Sequence, residues 1–491
     1  MQSSKVDFGL WSIVLMGLIL RVIAIFLDPF LHPWDERFHA LVARNMMENP
    51  FVPILRVNPI TENYDPFAWC CNHIWLHKQP LFMWQMALSM KVFGVSEWAM
   101  RLPSAIMGTL LILLLYRTAF LLTQRKTVAL LSALMMATSN YHLQLISGIK
   151  GMDHNDVAHG FYVVASIWAW CEYRHHRCTY WVILIGFFAG AAVLNKWLTG
   201  LLVYLIWGIA IFSDSIDGLA SRKEVLYFAI SFLVCLAVFL PWQIYIFHRF
   251  PEIAKHEHNF NLKHIREVVE GHGGNIFYYF KHLGELFGWF LHFLIPVGIW
   301  VSVWHRRINF SSNTAIVTAL VFVFLFYSII VRTKITTYLF FIVPLFLIYI
   351  GLAIDFLFEK VLKYSMLQVS ALFAICCLCL NPKVIAEYLS SPTGEREKRI
   401  YNAKIYRNLK SELPSNVKVV MNMNSFEDID VMFYNEGITA YHWTLSEEDF
   451  RNLRDRKIPI AVFEPHGNYQ LANYVWEYPY LFIIRKKLES F

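Results

Sequence analysis

The residues best equipped for chemistry are acidic and lie just outside apolar stretches. In the segment WDERFH, Asp35 and Glu36 follow the apolar run Phe8 to Leu27 and open a stretch of helical periodicity. An ordinary use for such a pair is capping, with Asp35 as N-cap and Glu36 at the positive end of the helix dipole. The catalytic alternative is an aspartate that loses hydration beside a bilayer, so that its pKa rises and it takes a proton from a hydroxyl. A second acidic segment, GMDHNDVAHGF, puts Asp153 and Asp156 at the head of another apolar run, where Asp156 would serve equally well as an N-cap. Ionisable groups at membrane depth are costly, which favours function in both places.

Basic residues that suit a phosphate or pyrophosphate stand nearby: Lys78 in HKQP, and Arg332, Lys334 and Tyr338 in RTKITTYLF. A single lysine at a helix end is as readily explained by snorkelling. The long polar stretch that starts at His248 adds Arg249, His256, His258, His264 and His272, candidates for phosphate contacts, proton carriage or metal ligation, in a spacing that matches no firm metal motif. In WCCNHIWLH, Cys70, Cys71, His73 and His77 are soft ligands close in sequence, although adjacent cysteines are awkward in a tetrahedral site. A divalent metal held by His77 and His258 is therefore an expectation to test.

The elements that must position these groups are apolar helices. The chain has 491 residues, of which 57% are hydrophobic and only 16% charged, against roughly 25% charged in soluble domains. Eleven runs are long enough to span: Phe8 to Leu27, Leu102 to Leu122, Val128 to Ser147, Val157 to Cys171, Tyr180 to Leu194, Trp197 to Phe212, Val225 to Phe247, Leu286 to Trp304, Thr314 to Val331, Ile335 to Phe358 and Tyr364 to Leu380. The first reads as a spanning helix, not a cleavable signal, because no small-residue cleavage site follows it. The net charge of +7 sits largely in short inter-helix loops, which makes it a topology signal and argues against a nucleic-acid partner.

With a cytoplasmic N-terminus, the inner loops carry Arg125, Lys126, Arg174, Arg177, Arg222, Lys223, Arg306, Arg307, Lys360 and Lys363, and the short outer ones only Lys150, Lys196, Arg332 and Lys334. That orientation places loops 28–101 and 248–285, and everything after residue 380, outside the cytoplasm. In the first of these loops ERFHALVARNMME has the spacing of an amphipathic helix along the membrane surface, and Leu81 to Phe93 is a second candidate. The chain thus divides into a transmembrane core, residues 1–380, and an extracytoplasmic domain, residues 381–491. In the latter VKVVMNM, DVMFYNEGITAYHW, PIAVFEP and YLFIIRKK read as strands and SEEDFRNLRDRK as a helix with Ser446 as N-cap, which predicts a small α/β domain. It has no Gly-rich phosphate loop, so an accessory or acceptor-docking role is expected of it.

Taken in order, WDERFHALVARNMME, HKQPLFMWQMALSMKVFGVSEWAMRLPSAIMG, DVAHGFYVVASIW, NKWLTG, LPWQIYIFHRFP, EHNF and TKITTYLFFIVP resemble the membrane glycosyltransferases of the GT-C type, in the branch of aminoarabinose transferases and protein O-mannosyltransferases. The resemblance implies an α-helical integral membrane protein of about 11 to 13 transmembrane helices in the cell (inner) membrane. It implies transfer of a hexosyl or pentosyl group, with inversion, from a polyprenyl-phosphate carrier to a lipid A, protein or glycan acceptor at the outer face. Under it Asp35 is similar to the catalytic acidic residue, Asp156 to a second acidic position, Lys78 to the lysine on the donor phosphate, Lys334 and Tyr338 to a basic and a tyrosine position, and His258 to a histidine of the EH motif. Some relatives have an acidic residue where this chain has His77, so a metal site there would be altered or absent. The topology adds its own argument, since nucleotide-sugars are made in the cytoplasm and a site outside it needs a lipid-carried donor. The rival class is a lipid or sugar transporter; against it stand the lack of a visible internal repeat and charge gathered on one face.

Overall fold

A computed structural model describes residues 7–57, 59, 65, 67–150, 153–216, 221–305, 307–360, 365–465 and 470–490. The structure is mostly helical. Among the described residues seven helical spans are long and apolar enough to cross a membrane, and an eighth if the bent pair Tyr278–Phe287 and Leu291–Trp304 counts as one. The expected runs Tyr180 to Leu194 and Trp197 to Phe212 lie on one helical stretch, Thr179–Ile216, interrupted at Trp197, whose φ of 68° is left-handed. Val128 to Ser147 is two shorter helices, Lys126–Ala137 and Asn140–Ile146, and the Ser139 side chain caps the second. Leu286 to Trp304 straddles a 111° bend, because Gly288 and Phe290 both take positive φ there.

The chain forms two compact units. The first comprises Met1–Ala24 and Ser104–Ile385 and holds most of the apolar helices. Its helix Asp153–His176 packs on Thr179–Lys196, which packs in turn on Arg222–Arg249. Gly186 and Gly190 make the second contact possible, since a Cβ on either would collide with the Ser231 and Cys235 carbonyl oxygens; small residues four apart let helices approach without a hydrophobic driving force. The span Thr336–Lys360 is almost entirely enclosed. Four of the basic residues that set the expected orientation pair with acids, Arg125 with Asp355 at 2.5 Å, Arg174 with Asp214 at 2.6 Å, Arg177 with Glu224 at 2.7 Å and Arg307 with Glu359 at 2.9 Å.

The second unit joins Ile25–Pro103 to Ala386–Phe491, a division that cuts the chain differently from the linear one expected at residue 380. Its centre is a parallel four-stranded sheet in the order β2-β1-β3-β4, with β1 Val419–Met421, β2 Thr439–Tyr441, β3 Ile460–Phe463 and β4 Leu481–Ile484. β1 to β3 are buried along their length, as parallel strands covered on both faces must be. The segment expected to be one strand, DVMFYNEGITAYHW, is instead the helix Asp428–Tyr434 followed by β2. Ser446 does cap the helix Glu447–Asp455, in a reciprocal box with Asp449.

The helix Asp35–Asn45 is not laid along a membrane surface: Glu36 to Ala43 are all buried. Its polar face is covered from within the unit, where Arg37 pairs with Asp430 at 3.2 Å and Arg44 donates to the Met432 carbonyl. Arg56 likewise pairs with Asp428, which also meets His442 at 2.9 Å. Burial pushes the Asp430 carboxyl up to about 8 despite Arg37, and Glu427 and Asp428 add to the rise. The folded protein thus keeps a proton that the unfolded chain releases near pH 4, and the unit loses stability as pH rises from about 4 to about 8. Asp430→Asn is expected to flatten that slope, read as melting temperature against pH; an unchanged slope would show that Asp430 is ionised in the fold.

Candidate active site

In the second unit Asp35 is the first residue of its helix, and Trp34 before it holds a left-handed φ of 68°. Trp34 occupies the N-cap position, and its side chain makes no capping bond. The Asp35 carboxylate meets Lys78 Nζ at 3.3 Å and His39 Nε2, one turn along, at 3.8 Å. The loop before Pro80 and the helix Leu81–Phe93 delivers Lys78. Beside it the His77 ring stacks on Trp69 at 5.7 Å, while His39 lies against Trp75 and Phe82.

The expected rise in the Asp35 pKa does not occur. Burial would raise it, but Lys78, then His39 and His77, outweigh burial and hold the carboxyl well below the usual carboxylate range. Glu36, adjacent in sequence, faces away into a closed set of contacts. It accepts from Arg101 Nε at 2.6 Å and Nη2 at 2.9 Å, and from the His32 backbone N–H at 2.6 Å. Arg101 also donates to the Asp28 and Phe30 carbonyls, both at 2.7 Å. Asp28 accepts from Tyr388 at 2.6 Å and Arg396 at 2.7 Å. Both Glu36 oxygens are thus engaged by Arg101 and the His32 N–H, next to Asp35 in the chain.

In the first unit Asp156 lies in the first turn of Asp153–His176, buried, and ion-pairs with Lys196. Lys196 ends its helix immediately before the break at Trp197, and its ammonium stands 5.1 Å from the Tyr338 ring centre. The Tyr338 hydroxyl reaches His264 Nδ1 at 3.2 Å. Lys196 was legible only as a lysine of a short loop; its pairing with Asp156 arises from the packing of two consecutive helices. Lys334 is buried, and its ammonium donates to the carbonyls of Tyr327 at 2.5 Å, Ser328 at 2.8 Å and Val331 at 2.5 Å. Burial and then Arg332 lower its pKa. Residues 332 and 333 are pinned to the 264–265 backbone by N–H bonds of 3.2 and 3.0 Å, which leaves the Arg332 side chain exposed.

His258 lies against Trp197 and Phe247, and Arg249 is exposed over Phe250. The Asp153 side chain lies outside the described residues. Among the described residues no group of three or more His, Cys, Asp or Glu side chains is arranged to hold a metal, so the expectation of metal ligation by His77 and His258 gains no geometric support.

Carboxylate–lysine pairs thus stand near helix ends in each unit, Asp35 with Lys78 in the second and Asp156 with Lys196 in the first. Residues 77–245, which hold Lys78, Asp156 and Lys196, match the family described as dolichyl-phosphate-mannose-protein mannosyltransferase. An uncharacterized protein of Aquifex aeolicus is 28% identical over 204 residues, 41% of this chain and 37% of that protein, so the chain spans little more than a third of that relative. The structure of ArnT from Cupriavidus metallidurans bound to undecaprenyl phosphate is similar with a TM-score of 0.62 at 16% identity, covering 93% of this chain and 86% of that one. The oligosaccharyltransferase AglB from Archaeoglobus fulgidus, in complex with an inhibitory peptide and a dolichol-phosphate, has a TM-score of 0.56 at 14% identity over 88% of this chain and 64% of that one. At such identities the likeness is one of fold. Sequence match and fold agree that the chain resembles the GT-C membrane glycosyltransferases that use polyprenyl-phosphate sugars.

Proposed function

We propose that the chain is an inverting glycosyltransferase that moves a hexosyl or pentosyl group from a polyprenyl-phosphate carrier to a lipid A, protein or envelope-glycan acceptor at the outer face of the inner membrane. The observation that carries this reading is Asp35, the first residue of its helix, set 3.3 Å from Lys78. Asp35 takes the proton of the acceptor hydroxyl as that oxygen attacks the anomeric carbon. The bond from that carbon to the carrier phosphate breaks, and Lys78 balances the charge left on the phosphate. Asp156 and Lys196, with Tyr338, form a second charged cluster, to which we assign binding of acceptor or donor. Lys334, with its donors on three carbonyls, shapes the turn that carries Arg332, and Arg332 offers the charge to phosphate. Eleven crossings follow if the bent pair Tyr278–Phe287 and Leu291–Trp304 counts as one, Lys126–Ala137 with Asn140–Ile146 crosses once, Asp153–His176 crosses once and Thr179–Ile216 crosses twice about its break at Trp197; on that count Asp35 and Asp156 lie on the same side of the membrane.

Lys78 links donor binding to base strength. While it is paired, Asp35 is a weak base; a phosphate that draws the ammonium away lets burial raise the Asp35 pKa toward the value a base needs. The acidic limb of kcat/KM, which reports the free enzyme, is expected below the ordinary carboxylate range. Lys78→Met should move that limb to higher pH and weaken donor binding by at least about one decade, roughly 1.4 kcal/mol. A pH–rate profile of this variant with its limb unmoved would uncouple the two residues. The function itself is tested by incubating purified protein with labelled polyprenyl-phosphate sugar and envelope acceptors. A new glycosidic bond supports it, and label that crosses vesicles with no new bond would make the chain a transporter.

A further inference from the structure

The segment between residues 67 and 78 carries two adjacent cysteines whose Sγ atoms are 2.8 Å apart, both thiols free and half-buried. In extended chain, neighbouring side chains point to opposite faces, so this approach needs a turn. The Cys71 and Asn72 N–H groups both donate to the Ala68 carbonyl, at 3.0 Å each. Arg56 Nη1 donates to the Cys70 carbonyl at 3.3 Å, and the Arg56 guanidinium lies 5.6 and 5.5 Å from the Tyr441 and Trp443 ring centres.

The pair is asymmetric. The hydrogen bond from Cys71 draws the Cys70 thiol down against the effect of burial, with Arg56 helping, while the Cys71 thiol is pushed up by the same bond and by burial. One sulfur is set to be a nucleophile and the other to follow it, an arrangement found where thiols exchange with disulfides. Two thiols that served only as small apolar packing would have no need of a polar contact with each other. A metal is the other use of such a pair, and the described residues supply no third ligand.

We propose that Cys70 and Cys71 form a thiol–disulfide exchange site that is oxidised by a dithiol–disulfide carrier and closes as a vicinal disulfide. The Cys70 thiolate attacks one sulfur of the carrier, the carrier S–S bond breaks, and a carrier thiolate leaves. Cys71 then loses its proton and attacks Cys70 Sγ, which releases the second carrier thiolate. The pair is oxidised by two electrons, and the carrier gains them with the two protons. The turn is bonded to the site segment: the Trp69 carbonyl accepts from Trp75 Nε1 at 2.9 Å, and the Trp69 ring stacks on His77, next to Lys78. Closing the ring therefore acts on Lys78, a consequence that rests on the proposed function, whereas the exchange chemistry does not.

The test uses the full chain, reduced and then treated with 4,4′-dithiodipyridine, alkylated and digested for mass spectrometry. The Cys70–Cys71 peptide is expected to lose two hydrogens and retain no pyridyl adduct, while exposed Cys178 retains one. Cys71→Ser should leave the adduct on Cys70. Adducts retained on both Cys70 and Cys71 of the unsubstituted protein would overturn the exchange site. Oxidation should also lower sugar transfer several-fold, reversibly with dithiothreitol and not in Cys70→Ser. A linked pair with undiminished transfer would overturn the effect on Lys78, and a reduced protein with no transfer at all would count against the proposed function instead.

Discussion

Asp35→Asn is expected to reduce transfer by roughly 10²- to 10⁴-fold, the range that general-base removal produces, with the fold retained. Asparagine fits the same space and is tolerated at a helix start, yet cannot take a proton. It also removes the anion that Lys78, His39 and His77 now face. The donor phosphate should consequently bind as tightly as before or tighter, so the loss appears in kcat and not in KM. Binding of labelled carrier and single-turnover transfer, measured on the same preparation, separate the two. A variant within ten-fold of the original rate would remove Asp35 from the role of base.

Arg101→Met is expected to have the largest effect on stability. The guanidinium is 2% exposed and holds both oxygens of Glu36 and two backbone carbonyls. Removing it leaves a buried carboxylate with no counter-charge, a change that costs about 3–5 kcal/mol. Much of that cost should disappear in the double variant Glu36→Gln, Arg101→Met, because the uncompensated charge goes as well. Thermal unfolding of the three variants in detergent gives the cycle. Additive losses would mean that the two residues stabilise the unit separately.

Local pattern was a good guide wherever burial follows from local composition. Apolar runs such as Phe8 to Leu27 and Ile335 to Phe358 are helices because lipid offers backbone groups no partner outside the helix. The strands PIAVFEP and YLFIIRKK were legible for a similar reason, as short apolar runs between turns. Breaks were not legible: nothing in the apolar stretch around Trp197 or Phe290 announces a left-handed residue. The helix Asp35–Asn45 was misplaced at a membrane surface because its polar face looks solvated. That face is buried by partners such as Asp430, just as Arg56 meets Asp428 from 372 positions away. A periodicity seen over eleven residues cannot report such contacts.

The candidate site shows the same division. Residue type drew attention to Asp35, Asp156, Lys78 and Tyr338, since charges and a tyrosine at the ends of apolar runs are rare enough to stand out. Partners and pKa direction depend on geometry. Desolvation alone predicts a raised Asp35, and Lys78, with His39 and His77 beside it, reverses that. Glu36 has the same residue type as a catalytic acid, yet Arg101 and the His32 N–H occupy it. Lys334, expected on the donor phosphate, has its ammonium on the carbonyls of Tyr327, Ser328 and Val331. Lys196 gains significance only from the packing that brings it to Asp156 and Tyr338.

The most direct measurement is a sided transfer assay. Protein in proteoliposomes, in the orientation with the N-terminus inside, is given labelled polyprenyl-phosphate sugar with acceptor supplied only to the outer medium. The account predicts a labelled acceptor outside, an inverted anomeric centre, and loss of both signals in Asp35→Asn. Label that reaches acceptor only when it is enclosed in the lumen, or transfer that persists in Asp35→Asn, would contradict it.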